Sequence, residues 1–257
     1  MLKLECAYSF SQVPYILYDV LEEYAEKVIS IASAENLRQP VPVDVDAFLE
    51  FYLGLSVEYK KLSYDSKVLG LTAFNAGHVQ IFDEQTGLPE PFYVDAGTVI
   101  VDLSLLHKRN EARLRFTLMH EAAHWLLHQR AFSAENSFFS NEKYDNQYLA
   151  AKEGRIDYSR KQQERTDSER LERQADFLAS ALLMPRPALR VAYRNYFRYF
   201  NEKPCRIVRG RDRMNDCHAA QLPEYIAKQF NVSRRAALIR LEKLNAIVDK
   251  GSVWGKY

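Results

Sequence analysis

The sequence predicts an α+β protein in which a block of short strands lies between two helical regions. Apolar residues recur at the period of a helix across residues 14–34, and short β-prone segments fill residues 55–102. Amphipathic helices are predicted from about residue 110 onwards. Strands and helices that occur in separate runs are typical of the α+β class. The chain has 9 glycines and 9 prolines among 257 residues, a low share that favours helices over tight turns.

The first helix is indicated by apolar residues that recur every three or four positions across residues 14–34. The prolines within residues 39–44 then end it, because proline cannot continue a helix. Asp44 is placed to cap a second, short helix, and Gly54 fits the end of that helix.

Five β-prone segments come next, and turn signals such as Asn75-Ala76-Gly77 separate them. We therefore expect a small, mostly antiparallel sheet. The segments are residues 56–62, 67–75, 78–83, 91–95 and 97–102.

Helices dominate the rest of the chain. A strong helical pattern covers about residues 110–129, and the polar residues 131–167 are expected to form a long, partly helical excursion. Ser168 is placed to cap the next helix, which stops before Pro185, and one more helix extends to about Asn201.

The C-terminal part is predicted to be irregular over residues 202–219 and then to form two short helices joined at Asn231-Val232. This last segment resembles a helix-turn-helix in which Arg234 and Arg235 stand at the start of the recognition helix. These arginines are therefore candidate contacts to nucleic acid or to a partner protein. A helical hairpin packed on the rest of the protein is the alternative.

Charge is distributed unevenly, although the whole chain has a net charge of only +1. Residues 1–118 carry 10 basic and 17 acidic side chains (net −7), whereas residues 186–243 carry 14 basic and 5 acidic ones (net +9). An acidic N-terminal part and a basic C-terminal part suggest two functional faces. A solvated basic surface is the alternative.

The chain has three cysteines, an odd number, and their spacing does not match a disulfide scaffold. This excludes a small secreted domain held together by disulfides and favours a reducing compartment. The first residues lack the pattern of a secretory signal, and no apolar run approaches 18 residues. We therefore expect a cytoplasmic protein that does not enter a membrane.

The chemistry-bearing motif is His120-Glu121-Ala122-Ala123-His124 in the helix predicted at residues 110–129. Histidines four positions apart share one face of a helix, so both imidazoles can bind one metal ion, and neutral imidazole suits zinc (Zn2+). Glu121 can then reach a metal-bound water, as in the H-E-x-x-H motif of zinc-dependent hydrolases. The alternative is an accidental match on a surface helix. Apolar neighbours instead indicate a buried helix, where these polar groups are costly without a partner.

A catalytic zinc site usually has a third protein ligand, and Glu172 is the candidate. His128 follows His120 by eight residues, not by the ten of the metzincin pattern. Glu172 and Asp176 lie four positions apart on the next helix, so one carboxylate can bind metal while the other accepts a ring N–H from a ligating histidine. The alternative is a charge cluster at the helix N-terminus, a role that fits Glu169 better.

Both motifs together resemble those of the ImmA/IrrE family of metallopeptidases. The chain has R-F-T-L-M-H-E-A-A-H-W-L-L-H from Arg115 and E-R-Q-A-D-F from Glu172. The family typically has R-F-T-x-x-H-E-x-x-H-x-x-L-H, followed by an E-x-x-A-D/N motif. The resemblance covers about residues 40–245.

This resemblance implies a zincin-like fold in which His120, His124 and Glu172 bind zinc. It implies Glu121 as the general base of peptide hydrolysis, with Asp176 orienting a histidine. It also implies a protein substrate, because peptidases of this family often act on a DNA-binding repressor.

We accordingly expect an N-terminal helical segment, a zincin-like catalytic domain that contains the long excursion, and a basic helical region. Their bounds are residues 1–40, 41–201 (excursion 131–167) and 202–257. The rival hypothesis is a non-proteolytic regulatory protein that binds DNA or a repressor through the basic region and holds zinc only for structure.

Two details of the expected peptidase stay open in the sequence. An edge of the sheet could pair with an extended substrate strand, and residues 97–102 or 67–75 are the candidates for that edge. The group that stabilises the oxyanion could be supplied by one of four side chains. They are Tyr144, Tyr148, Tyr158 and His128.

Overall fold

The computed structural model describes residues 4–133, 148–152 and 166–251. The chain is mixed α+β, with small sheets and several helices, as the sequence predicts. It forms two compact units: Met1–Val28 with Asp44–Ala179, and Ile29–Val43 with Ser180–Tyr257. The three-region division at residues 40 and 201 stays a prediction.

The chain begins with a short antiparallel ladder between β1 (Ala7–Tyr8) and β2 (Pro14–Tyr15), and α1 (Tyr18–Ala32) follows. The helix predicted from residue 14 therefore starts four residues later, because Pro14 and Tyr15 pair with β1 instead.

Two short helices, α2 (Glu35–Arg38) and α3 (Val45–Ala47), come next, and α3 continues as a π-helical turn over Phe48–Leu53. The predicted cap and end of this element are confirmed. The side chain of Asp44 accepts a hydrogen bond from Ala47 N at 3.0 Å, and Gly54 has a left-handed backbone with φ 68°.

Besides the β1–β2 ladder, the strands of the first unit form one four-stranded sheet and one hairpin. The hairpin pairs β5 and β6, whereas the sheet has the order β3-β7-β4-β8, in which only the β3–β7 pair is parallel. The strands are β3 (Ser56–Lys60), β4 (Val68–Ala73), β5 (Gly77–Phe82), β6 (Pro89–Val94), β7 (Thr98–Asp102) and β8 (Tyr148–Lys152).

The segments predicted as substrate-pairing edges, 97–102 and 67–75, are β7 and β4, the two inner strands of this sheet. That prediction is wrong because both strands are almost entirely buried and already have a neighbour on each side. Within the excursion at 131–167, residues 148–152 form strand β8 and not a helix.

The helices that carry the two motifs are α4 (Glu111–His128) and α5 (Asp167–Leu183). Ser168 does not cap α5, since it lies inside the helix. Thr166 does so: its hydroxyl accepts a hydrogen bond from Glu169 N at 3.3 Å. The hydroxyl of Ser9 donates a hydrogen bond to Asp167 Oδ2 at 2.8 Å, in the first turn of α5.

The second unit contains α6 (Arg186–Tyr199), α7 (Arg213–Phe230) and α8 (Arg234–Lys243), with a parallel pair of short strands, β9 (Ile207–Arg209) and β10 (Ile247–Asp249). The prediction that residues 202–219 are irregular is wrong. Asp212 caps α7 by accepting from Asn215 N at 2.8 Å, and the helix occupies the following 18 residues.

Among residues 4–133, 148–152 and 166–251, none of the helices combines the length and the apolar character that a membrane crossing requires.

Candidate metal centre

Three side chains from two helices converge in the first unit. His120 and His124 project from one face of α4, and their Nε2 atoms are 2.9 Å apart. Glu172 approaches from α5, with Oε2 3.3 Å from His120 Nε2 and Oε1 3.7 Å from His124 Nε2. One ligand atom from each residue lies within 4.8 Å of the other two. The structure thus brings together the trio that the sequence predicted.

Burial around this trio is one-sided. The side chains of His120 and His124 are 7% and 0% exposed, whereas that of Glu172 is 27% exposed. The histidines therefore lie in the interior of the unit, and solvent reaches the cluster at the carboxylate.

A chain of hydrogen bonds fixes the tautomer of His124. The carbonyl of Pro14 can only accept, so Gln174 Nε2 donates to it (2.7 Å) and Gln174 Oε1 accepts from His128 Nε2–H (3.1 Å). Burial lowers the pKa of His128 to about 3, so its ring is neutral and its Nδ1 accepts from His124 Nδ1–H at 2.9 Å. His124 Nε2 consequently presents a lone pair to the cluster.

His120 is oriented by a separate partner, Asp176, whose Oδ1 accepts from His120 Nδ1–H at 3.0 Å. Burial alone would lower the pKa of His120. The hydrogen bonds to Asp176 and Glu172 outweigh that effect and hold this pKa well above its usual value. Asp176 thus lies where a histidine-orienting carboxylate was predicted.

The cluster requires positive charge at its centre. The lone pair of His124 and the carboxylate of Glu172 face the Nε2 atom of His120, and these groups would repel one another without a proton or a metal ion among them. Two imidazole nitrogens and one carboxylate are also the ligand set of many catalytic zinc sites. The residues present therefore fit zinc.

Glu121 lies beside this cluster and is fully buried. Its Oε2 accepts a hydrogen bond from the hydroxyl of Thr72 at 2.6 Å, whereas its Oε1 has no hydrogen-bond partner among the described residues. Burial raises the pKa of Glu121 to about 7. A buried, unpartnered carboxyl oxygen is costly, which indicates that this atom binds a group from outside the chain.

Strand β4 makes room for this glutamate. A Cβ atom on Gly70 would lie 2.6 Å from Glu121 Oε1 and 2.7 Å from Thr117 Cγ2, so only glycine fits there. Gly70 and Thr72 were not among the predicted site residues, although a glycine and a threonine in an otherwise apolar strand indicate close packing and a buried polar contact.

Of the four side chains predicted to stabilise an oxyanion, the structure describes only that of His128. His128 is excluded because both of its ring nitrogens bond to His124 and Gln174. Tyr144 and Tyr158 lie outside the described residues, as does the side chain of Tyr148.

Arg234 and Arg235 lie in the second unit, exposed in the first turn of α8. Ser233 caps this helix by accepting from Ala236 N at 3.1 Å, and Arg234 Nη2 donates to the carbonyl of Ala220 at 3.3 Å. Contact of these arginines with nucleic acid or a partner stays a prediction.

Residues 147–242 match the model of a peptidase family described as IrrE N-terminal-like domain. That segment contains Glu172 and Asp176, whereas His120, Glu121 and His124 precede it. No curated protein matches the chain. The family match supports a peptidase and confirms the resemblance of this chain to the ImmA/IrrE family.

Proposed function

We propose that the chain is a zinc-dependent endopeptidase of zincin-like architecture. The observation that carries the proposal is the convergence of His120, His124 and Glu172 on one point, with the buried carboxyl of Glu121 beside it. The ligand set is that of catalytic zinc sites, which keep one position open for water or substrate.

His120 Nε2, His124 Nε2 and the Glu172 carboxylate would hold the metal. When bound there, zinc would polarise the scissile carbonyl and lower the pKa of a water molecule towards neutrality.

Glu121 would act as the general base. Its Oε2 is fixed by Thr72, so Oε1 remains to take a proton from the attacking water and to return it to the leaving amine. Burial raises the pKa of this carboxyl, and the positive charge of a bound zinc ion would lower it again, so that Glu121 would be ionised and able to accept the proton.

Two independent hydrogen-bond systems would keep the ligands in place. Asp176 orients His120, and the chain from Pro14 through Gln174 and His128 orients His124. Such partners of ligating histidines fix ring orientation and raise metal affinity.

The substrate class comes from the resemblance and not from the geometry. We propose a specific intracellular protein, in particular a transcriptional repressor, as the substrate, with the cytoplasm as the compartment. All three cysteines are free thiols, which agrees with a reducing environment.

The second candidate is a non-proteolytic regulator with structural zinc, and the basic second unit favours it. Residues 186–243 carry net charge +9, and Arg234 and Arg235 are exposed. If this candidate is right, duplex DNA binding should weaken with salt, and an Arg234→Gln/Arg235→Gln variant should show a smaller salt dependence.

Glu121→Gln separates the two candidates. It should keep zinc but cut peptidase activity by about 10²–10⁴-fold, since it removes the proton acceptor. Activity is read as new amino termini in a proteome-derived peptide library, and zinc by elemental analysis. Glu169→Gln is the matched control, because it makes the same change at an exposed glutamate on α5, three residues before Glu172. Unchanged cleavage by Glu121→Gln would reject the proposed base.

A further inference from the structure

The second unit contains a cavity of about 400 Å3 between α6 and two chain segments, 204–206 and 244–246. Arginines line it from both sides. Arg186, Arg190 and Arg194 are spaced four residues apart along one face of α6, and Arg206 belongs to the segment that faces them. No aspartate or glutamate lies among the lining residues.

These arginines create a local excess of positive charge. Neither Arg190 nor Arg194 has an ion-pair partner within the described part of the chain, and both are exposed. Cations four residues apart on a helix repel each other and disfavour the helix. An anion in the cavity would remove this repulsion.

The spacing favours a ligand with more than one anionic group, or an extended one. Successive arginines on this face are about 6 Å apart along the helix axis, too far for one small anion to engage all of them equally. Guanidinium groups bind phosphate oxygens through two parallel hydrogen bonds, so phosphate is the anion that this side chain suits best.

The rest of the lining is not basic. Tyr193 donates its hydroxyl to the carbonyl of Cys205 at 2.5 Å, which fixes the phenol ring as a wall of the cavity. Leu189 and Leu244 add apolar surface, and Asn245 adds an amide. Aromatic and apolar surface accommodates a planar base, and an amide can bond to its edge.

We propose that this cavity binds a nucleoside phosphate unit, either as a free nucleotide or as part of a single nucleic-acid strand. The phosphates bind the arginines of α6 and Arg206, and the base lies against Tyr193 and the apolar wall. The site belongs to the second unit alone and does not depend on the peptidase proposal.

The test measures fluorescence anisotropy of a labelled ten-nucleotide thymidine strand with the full-length chain. Arg190→Gln/Arg194→Gln should weaken binding at least about tenfold, since two charge-assisted contacts are lost. The slope of log affinity against log salt should fall by about 1.4, or 0.7 for each phosphate contact.

Arg211→Gln/Arg213→Gln is the matched comparison, because it removes two exposed charges from the same unit outside the cavity. It should bind within about twofold of the unmodified chain. Circular dichroism checks that both variants keep their helices. Equal weakening in both variants, or weakening in the Arg211/Arg213 variant alone, overturns the proposal.

Competition then identifies the source of the ligand. Displacement by thymidine monophosphate assigns the cavity to free nucleotides, and displacement by unlabelled strand alone assigns it to a nucleic-acid strand; both outcomes support the proposal. Absence of binding, or binding of polyglutamate with the same dependence on Arg190 and Arg194, overturns it.

Discussion

The cluster of His120, His124 and Glu172 in the first unit and the arginine-lined cavity of the second differ in how their charged or polar side chains are buried and paired. In the cluster, His120 and His124 are buried, and each has a partner within the chain that fixes its ring. In the cavity, Arg190 and Arg194 are exposed and have no ion-pair partner among the described residues.

The difference teaches how each region would recognise its ligand. Buried, hydrogen-bonded ligands are held in position before a metal arrives, so their geometry selects the ion. Exposed arginines keep their hydration and rotamer freedom until an anion binds. The ligand is therefore selected by its charge and by whether its anionic groups match the spacing of the arginines. Substitutions that remove an internal partner should therefore affect the first region far more than the second.

The largest effect is expected at the histidine relay. His128→Leu removes the acceptor of His124 Nδ1–H and should weaken zinc binding by about 10–100-fold. His128→Gln keeps an oxygen that can accept this proton and should restore much of the affinity. Competition with a chromogenic chelator measures both, and equal affinity of His128→Leu and the unmodified chain would contradict the relay.

An effect of similar size in free energy is expected where β4 meets Glu121, since a 10–100-fold loss of affinity corresponds to about 1.4–2.7 kcal/mol. Gly70→Ala places a Cβ atom against Glu121 Oε1 and Thr117 Cγ2 and should reduce the free energy of unfolding by about 1–3 kcal/mol. Adding Thr117→Ser removes one of the two obstructing atoms and should recover part of that loss. Denaturant titration gives both values, and a Gly70→Ala variant of full stability would refute the close contact.

The smallest effect is expected at the start of α5. Thr166→Ala removes the hydroxyl that caps the helix and should cost about 1 kcal/mol. Ser168→Ala, at the position that the sequence suggested, should change stability by less than about 0.5 kcal/mol. Thermal unfolding of both variants compares the two positions, and a larger loss for Ser168→Ala would restore the original prediction.

Local patterns in the sequence were sufficient for much of this cluster. The four-residue spacing places His120 and His124 on one helical face, and the same spacing places Glu172 and Asp176 on the next helix. The cap at Asp44 and the helix end at Gly54 were likewise predictable, because each depends on a few adjacent residues.

Contacts between distant parts of the chain could not be predicted in this way. Thr72 reaches Glu121 across 49 positions, and Gln174 joins His128 to Pro14, which lies 160 positions earlier. The start of α7 was missed for a different reason: its first turn is mostly exposed and lacks the apolar spacing that indicates a helix.

Metal analysis of the purified chain beside Glu172→Ala and Glu169→Ala tests most directly whether the three side chains form one zinc site. The unmodified chain and Glu169→Ala should each hold roughly one zinc ion per molecule, whereas Glu172→Ala should lose most of it. Equal zinc content in all three proteins would contradict the assignment of Glu172 as a ligand.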